Sequence, residues 1–271
     1  MLKKIFYIKI PKNRIFGLDL LRAIAIMMVM FAHANGHQPP AFISQYLSPL
    51  LIDGVGIFFV LSGFLIGGIL IRDFEKEISL RSLLNFWQRR WFRTLPNYLL
   101  ILITLIILNY FFQMGFTAND YGSYFVFLQN FSSPMGSFFP ESWSLSIEEW
   151  FYLITPVAII LFYLSFRRKI SLKWVLLFVI LLIITYSTTL RFYRYLFLEL
   201  PKGYNTWDLH FMRQVATRLD ALMFGVFGAW LKRYYPKIFY FKSLWFLIIG
   251  VGLTILLEII NNKMHNNRNQ A

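Results

Sequence analysis

Seven long apolar stretches constrain this chain more than any other feature of its sequence. They cover approximately residues 15–35, 52–71, 94–113, 143–165, 172–190, 214–231 and 243–261. A helix rises about 1.5 Å per residue, so each stretch is long enough to cross the roughly 30 Å hydrocarbon core of a bilayer. Inside hydrocarbon every backbone polar group needs an internal partner, which a helix provides. The sequence therefore predicts an all-α, polytopic helical bundle with about seven transmembrane helices.

The composition supports the same class of protein. Hydrophobic residues make up 58% of the 271 residues and charged residues 15%, and the mean hydropathy is +0.56. A soluble domain of this size would expose charge over most of its surface. The 30 Phe, 15 Tyr and 8 Trp suit a lipid-facing chain with aromatic residues at the membrane interfaces. We therefore expect a multi-pass protein of the inner or plasma membrane.

The basic residues predict how the chain is oriented. Lys and Arg cluster in alternate segments between the apolar stretches: 1–14, 72–93, 167–173 and 232–242. The loops at 36–51 and 114–142 contain neither residue. Because cytoplasmic loops carry an excess of Lys and Arg, the N-terminus is predicted to be cytoplasmic. The net charge of +14 then faces anionic lipid, and no nucleic-acid partner is expected.

One loop departs from this charge pattern. Residues 191–213 are predicted to be external, yet they contain Arg191, Arg194, Lys202 and Arg213. Such charges are expected to be ordinary surface charge, with attraction of an anionic acceptor as the alternative.

The sequence predicts one domain. No internal repeat or low-complexity segment marks a boundary, so residues 1–261 are expected to form a single membrane domain. Residues 262–271 are a polar C-terminal tail. The chain has no Cys, which excludes disulfides, thiolate chemistry and Cys-based metal sites.

The first apolar stretch contains three ionisable residues, Asp19, Arg22 and His33. Arg22 and His33 are eleven positions apart. At about 100° per residue this interval corresponds to about three helical turns, so both residues lie on one face, about 16 Å apart along the helix axis. Ionisable residues inside a span are costly and normally face the protein interior or a wet cavity. Histidine is suited to take a proton from a hydroxyl near neutral pH, and Asp19 is placed to pair with Arg22. Either residue alone suits the interface, but their shared face favours catalysis.

Further polar residues accompany the second and third stretches. Ser62 and Gly63 lie in the middle of the second stretch, where small residues permit close helix packing. Arg89, Arg90 and Arg93 precede the third stretch. This cluster fits the positive-inside pattern, and its forked guanidiniums also suit phosphate groups.

The fourth stretch begins with a polar stripe. Ser144, Glu148 and Tyr152 recur every four residues, so they share one helical face. A carboxylate there is able to orient a histidine, accept a proton or hold a sugar hydroxyl. The neighbouring Glu149 is expected to face the membrane interface.

Arg218 and Asp220 lie in the outer part of the sixth stretch. Two residues apart on a helix, they point about 200° away from each other. They cannot both face one partner, so one of them is expected to serve packing or a loop contact.

Taken together, these segments resemble the acyltransferase-3 family, the multispan bacterial O-acyltransferases that modify surface glycans. The resemblance rests on five segments in the expected order: GLDLLRAIAIMMVMFAH, GIFFVLSGFLI, RRWFRTLP, SWSLSIEEWFYLITP and RLDALMFG. The first is similar to the family's Arg-x10-His segment, and the fourth to its W-S-L-x-x-E-x-x-F-Y segment. Family members generally have about ten spans, so the resemblance implies a chain that is short at its C-terminus.

The resemblance implies a membrane-bound acyltransferase. Its donor would be cytosolic acyl-CoA, with acetyl-CoA expected, and its acceptor a hydroxyl of a surface or cell-envelope glycan or lipid-linked saccharide. His33 would be the general base or a transient acyl carrier, Arg22 would position the donor or stabilise negative charge, and Glu148 would orient the acceptor or His33. Arg90 and Arg93 would hold the CoA phosphates. The remaining predicted substrate-binding residues are Ser62, Trp143, Ser144, Tyr152, Arg218 and Asp220.

Two other functions fit the same sequence. A transporter or flippase of a glycan or small metabolite would also place charged residues on facing helices. A non-catalytic, truncated membrane subunit would also be short. No metal site is expected, because His33 and His37 stand four residues apart without further ligands nearby.

Overall fold

A computed structural model describes residues 16–34, 54–166, 169–198, 204–242, 244–253 and 256. Every regular element in these residues is a helix, which confirms the all-α class. Nine of the α-helices in these residues are labelled α1 (Phe16–Ala34), α2 (Gly54–Lys76), α3 (Leu80–Phe112), α4 (Ala118–Tyr121), α5 (Trp143–Ser165), α6 (Leu172–Phe197), α7 (Tyr204–Trp207), α8 (Val215–Tyr234) and α9 (Pro236–Phe241). Shorter turns of other helix types are the 3₁₀ helices Gly122–Val126 and Pro140–Ser142 and the π-helix Asp208–Met212.

Four helices in the described part of the chain are long and apolar enough to cross a membrane. They are Gly54–Lys76, Leu80–Phe112, Pro140–Ser165 and Leu172–Phe197, and they match the second to fifth predicted spans. The first and sixth predicted spans are also helical, as α1 and α8, and a shorter apolar helix, Leu244–Leu253, lies in the seventh. The count of seven and the cytoplasmic N-terminus stay predictions.

The chain divides into two compact units, with the boundary between Leu61 and Ser62. In the first unit, α1 packs against the start of α2 at Gly54. A Cβ at Gly54 would lie 2.8 Å from the carbonyl oxygen of Ala25, so only glycine permits this approach. The expected single domain over residues 1–261 stays a prediction.

The predicted loop over residues 72–93 is wrong in its bounds. Helix α2 continues to Lys76 and α3 already begins at Leu80. The start of α3 is stabilised by reciprocal capping, since Ser79 Oγ accepts from the backbone N–H of Ser82 at 3.2 Å and Ser82 Oγ accepts from that of Ser79 at 3.3 Å. The 33 residues of α3 reach about 50 Å. An apolar run in the sequence marks only the part of a helix that lipid covers. It therefore does not detect the part of a helix that extends beyond the bilayer.

Glycines hold α2 against α8 in the second unit. A Cβ at Gly63 would collide with the backbone carbonyl of Leu222, and one at Gly67 would lie 3.0 Å from the Cα of Val226. The two glycines stand one turn apart, so they open a continuous strip along which the helix backbones approach closely. This contact places Ser62 within the packed second unit.

The segment between α3 and α5 is folded into the second unit. The Tyr98 hydroxyl donates to the carbonyl of Tyr124 at 2.9 Å, and both rings belong to a buried cluster with Leu102 and Phe138. The Phe127 carbonyl accepts from α5 through Ser146 Oγ and Trp150 Nε1, each at 2.8 Å. Side-chain donors from α3 and α5 thus replace the hydrogen bonds that this irregular backbone cannot make itself.

Candidate functional site

Glu148 is the centre of a buried polar cluster in the second unit. Glu148 is only 9% exposed. The Tyr152 hydroxyl donates to Oε2 at 3.1 Å, and the Ser62 hydroxyl lies close to this carboxylate. The other oxygen, Oε1, is buried without a hydrogen-bond partner. A buried polar group is costly unless it is hydrogen-bonded, so Oε1 is the atom at which an incoming hydroxyl or proton would be stabilised.

Helix α3 holds Tyr152 in place from the neighbouring side. Trp87 Nε1 donates to the carbonyl of Tyr152 at 2.9 Å, and the Phe86 ring meets the Tyr152 ring edge-on at 6.3 Å between centroids. The carbonyl of Tyr152 is free to accept because Pro156, four residues further along α5, has no N–H. The indole therefore satisfies a carbonyl that the proline leaves open.

Two of the three clustered arginines lie near the Glu148 carboxylate. Arg90 and Arg93 both interact electrostatically with it. Arg90 is half-buried with its guanidinium 5.9 Å from the centroid of the Phe86 ring, and its Nε has no hydrogen-bond partner. Arg93 is exposed. Arg89 instead pairs with Asp73, with 2.5 Å between Nη2 and Oδ2.

These contacts distinguish the guanidinium of Arg89, which forms an ion pair, from those of Arg90 and Arg93, which are available to a ligand. The sequence left open whether Arg89 or Arg90 aligns with Arg93, and the Arg89–Asp73 pair selects Arg90. Arg90 and Arg93 each present several N–H donors, and guanidinium donors suit an anion.

The sequence led us to expect Glu149 at the membrane interface, but the structure buries this residue instead. The residue is 6% exposed, and the Thr94 hydroxyl donates to its Oε1 at 2.7 Å. Adjacent residues on a helix point about 100° apart, so the two glutamates face different neighbours of α5. The only sequence signal for this arrangement is the pair of adjacent glutamates, and it does not indicate that both side chains are buried.

Helix α1 contains both Arg22 and His33. The helical spacing that their shared face requires is therefore present. Arg22 is half-buried, whereas the side chain of His33 lies outside the described residues. The catalytic roles of both stay predictions.

Trp143 and Ser144 lie at the beginning of α5. The Arg213 guanidinium stands 5.7 Å from the centroid of the Trp143 ring, and Asn130 Nδ2 donates to the Trp143 carbonyl at 3.0 Å. Ser144 is half-buried one turn before Glu148. The expected stripe of Ser144, Glu148 and Tyr152 is thus part of one continuous helix, and its last two members are hydrogen-bonded to each other.

Asp220 is occupied by an ion pair with α6. Arg191 Nη1 lies 3.1 Å from Asp220 Oδ1 and Nη2 lies 2.5 Å from Oδ2, so the contact is bidentate. Arg218 points elsewhere, with its Nη1 3.4 Å from the Met212 sulfur. The expectation that these two residues face different partners agrees with this geometry. Their roles in substrate binding stay predictions.

The expectation of ordinary surface charge in the 191–213 segment is wrong for two arginines. Arg191 belongs to α6 and binds Asp220, and Arg194 is buried. Arg194 donates to the carbonyls of Ser132 and His210 at 3.0 and 2.9 Å and to Gln214 Oε1 at 2.5 Å. Its several donors join segments that are distant in the sequence, and no local pattern reveals that.

Comparison with known proteins gives a consistent result. The model of the acyltransferase-3 family, described as an acyltransferase domain, matches residues 15–266. The peptidoglycan O-acetyltransferase OatA of Listeria monocytogenes is 34% identical over 174 residues, covering 59% of this chain and 25% of that protein. The O-acetyltransferase OatA of Staphylococcus aureus is 33% identical over 156 residues, covering 53% of this chain and 24% of that protein.

A putative O-acetyltransferase of Staphylococcus aureus is 28% identical over 181 residues, covering 59% of this chain and 27% of that protein. The chain spans about a quarter of the length of the curated relatives it matches. No solved structure matches it.

Proposed function

Because the chain belongs to the acyltransferase-3 family, we propose that it transfers an acetyl group from acetyl-CoA to a hydroxyl of a cell-envelope glycan. The names of its relatives support O-acetyl transfer, and that of one relative names peptidoglycan. The observation that carries the proposal is the buried Glu148 carboxylate, with one oxygen bonded to Tyr152 and the other without a partner, near Arg90 and Arg93.

The arginines are proposed to bind the donor. Acyl-CoA carries phosphate groups, and guanidiniums bind phosphate through paired, charge-assisted hydrogen bonds. Arg90 offers a half-buried guanidinium and Arg93 an exposed one. With the N-terminus in the cytoplasm, as the basic loops predict, both face the side on which acyl-CoA is present.

The reaction requires a base for the acceptor hydroxyl and a group that positions the donor. His33 takes the proton of the acceptor hydroxyl, whose oxygen attacks the acyl carbonyl carbon. The carbon–sulfur bond then breaks, and coenzyme A leaves as the thiolate. Arg22 lies about 16 Å from His33 along the axis of α1, so its proposed role is to position the donor and not to contact the reacting carbonyl. Glu148 holds the acceptor through a hydrogen bond to Oε1.

Acetyl transfer from labelled acetyl-CoA to isolated, unacetylated peptidoglycan tests the proposal in membranes that contain the full chain. General-base catalysis contributes roughly 10²–10⁴-fold, so His33→Ala should lower the rate at least about a hundredfold. Glu148→Gln should also lower it, whereas Glu141→Gln, at an exposed glutamate just before α5, should not. Transfer at the wild-type rate by His33→Ala, with equal amounts of protein in the membrane, contradicts the assignment.

A further inference from the structure

A cavity in the second unit lies beside Glu149, on a different side of α5 from Glu148. It has a volume of about 270 Å³ and lies between α3, α5 and the 3₁₀ segment that follows α4. Trp91 and Leu95 line it from α3, and Trp150 and Leu153 line it from α5. The proposed acyl transfer uses none of these residues.

The cavity contains one buried polar group. Glu149 lines its wall, and the residue is 6% exposed. Thr94 occupies Oε1 and the Trp91 indole lies near the carboxyl, but Oε2 is buried without a hydrogen-bond partner. An unpaired buried carboxyl oxygen costs free energy that a hydrogen-bond donor on a ligand would recover.

The rest of the wall is apolar and rigid. The Trp91 ring is stacked on Trp87 at 5.5 Å between centroids, and Trp150 is fixed by its bond to the Phe127 carbonyl and by edge contact with Phe131 at 4.6 Å. These contacts hold the walls apart without a ligand. A fitting ligand therefore has one polar group and an otherwise apolar body.

The surroundings point to the bilayer as the source of the ligand. Both α3 and α5 are candidate membrane spans, and Leu153, on the wall of the cavity, is itself 38% exposed. A cavity of about 270 Å³ has room for part of an aliphatic chain.

We propose that this cavity binds an apolar alcohol from the membrane, with its hydroxyl on Glu149 Oε2 and its hydrocarbon body between Trp91 and Trp150. A neutral hydroxyl donates to an ionised carboxylate and also pairs with a protonated carboxyl. An ammonium would bring a second charge into an apolar cavity, where incompletely paired charges are costly. A sugar has several hydroxyls, and this wall offers only one carboxyl. The proposal does not depend on the acyl-transfer reaction.

Photolabelling of the full chain in lipid nanodiscs tests this. The probe is a ten-carbon alcohol with a diazirine in its chain, compared with the amine and the hydrocarbon of the same length. We expect the alcohol to label peptides of α3 and α5 around Leu95 and Leu153 at least fivefold more than either comparison probe. Unlabelled decanol should compete.

Variants locate the binding. Glu149→Ala should reduce labelling by the alcohol at least fivefold, and so should Leu153→Trp, which fills the cavity while keeping the carboxyl. Leu161→Trp, at an exposed position on the same helix, should leave labelling unchanged.

Three results would overturn the proposal. They are equal labelling by the hydrocarbon, stronger labelling by the amine, and undiminished labelling in Leu153→Trp. The last keeps the test decisive if Glu149→Ala does not fold.

Discussion

The Tyr152 hydroxyl donates to Glu148 Oε2 at 3.1 Å from one turn further along α5, while Oε1 of the same carboxylate is buried without a partner. One oxygen is thereby fixed and the other remains available. Such asymmetry orients a carboxylate for a ligand, because the hydrogen bond restricts its rotation without occupying both acceptors.

Replacing Tyr152 by Phe tests whether this orientation matters for acyl transfer. Hydrogen bonds to charged groups are worth roughly 1.5–3 kcal/mol, so Tyr152→Phe should lower kcat about tenfold or more while the ring still packs on Phe86. Tyr110→Phe, at an exposed position of α3, serves as the control. The measurement is acetyl transfer at saturating acetyl-CoA, and equal kcat in the two variants would refute the role of the hydroxyl.

Arg90 and Arg89 are adjacent, but they should differ in donor binding. Arg90→Ala removes a guanidinium whose Nε is unpaired and should raise KM for acetyl-CoA about tenfold or more, because a charge-assisted contact of roughly 1.5–3 kcal/mol is lost. Arg89→Ala breaks only the exposed pair with Asp73 and should leave KM unchanged. Steady-state kinetics with varied acetyl-CoA separates the two, and an equal change in both would show that only the total positive charge counts.

Gly63 and Gly68 provide a matched pair for helix packing. A Cβ at Gly63 meets the Leu222 backbone, whereas one at Gly68 meets nothing within 4 Å. Gly63→Ala should destabilise the protein by roughly 1–3 kcal/mol through overpacking, and Gly68→Ala should be neutral or slightly stabilising, since alanine is the better helix former. Thermal unfolding in detergent compares the midpoints. A midpoint for Gly63→Ala at or above that of Gly68→Ala would show that α2 and α8 do not approach this closely.

The ion pair between Arg191 and Asp220 should show strong coupling. Removing one partner leaves the other partly buried and unpaired, which costs roughly 3–5 kcal/mol. We expect Asp220→Leu and Arg191→Met each to lower the unfolding midpoint. The double variant should recover most of the loss, because neither charge remains. Simple addition of the two losses in a double-mutant cycle would mean that the side chains act independently.

Asp120, in the exposed helix α4, should titrate below an ordinary aspartate. The backbone N–H of Thr117 and its hydroxyl donate to Oδ2 at 2.7 and 2.8 Å, and these bonds lower the pKa of the carboxyl. The ionised form is therefore favoured in the folded state. Its contribution is present above the unfolded pKa of about 3.9 and is lost as the pH falls through the lower folded pKa.

Thr117→Val removes the hydroxyl donor and keeps the backbone one, so it should move the pKa of Asp120 part of the way back towards its usual value. Carboxyl-carbon NMR titration of the solubilised protein measures this. An unchanged pKa in the variant would show that the backbone bond alone accounts for the shift.

Local periodicity predicted several features that the structure contains. The apolar runs located four helices long enough to cross a membrane, because lipid contact requires an unbroken apolar surface. The i,i+4 spacing of Glu148 and Tyr152 placed both on one face, where they are hydrogen-bonded. Both inferences depend only on the geometry of a single helix, which the chain carries in its residue order.

Contacts between helices could not be predicted in this way. From the sequence we expected Glu149 at the membrane interface, and we expected Arg191 and Arg194 to be surface charges or to attract an anionic acceptor. The structure gives all three buried or paired surroundings. Which neighbour covers each face of a helix depends on how the helices rotate and pack.

The sequence by itself determined the helical membrane class, the family and the order of the polar residues along each helix, since these follow from runs and spacings within one segment. Only the tertiary structure decided that Arg89 binds Asp73 while Arg90 lies near Glu148, and that Glu149 borders a cavity of its own. Neighbouring residues on one helix differ by about 100° in direction, so their partners are selected by whichever helix packs against each side.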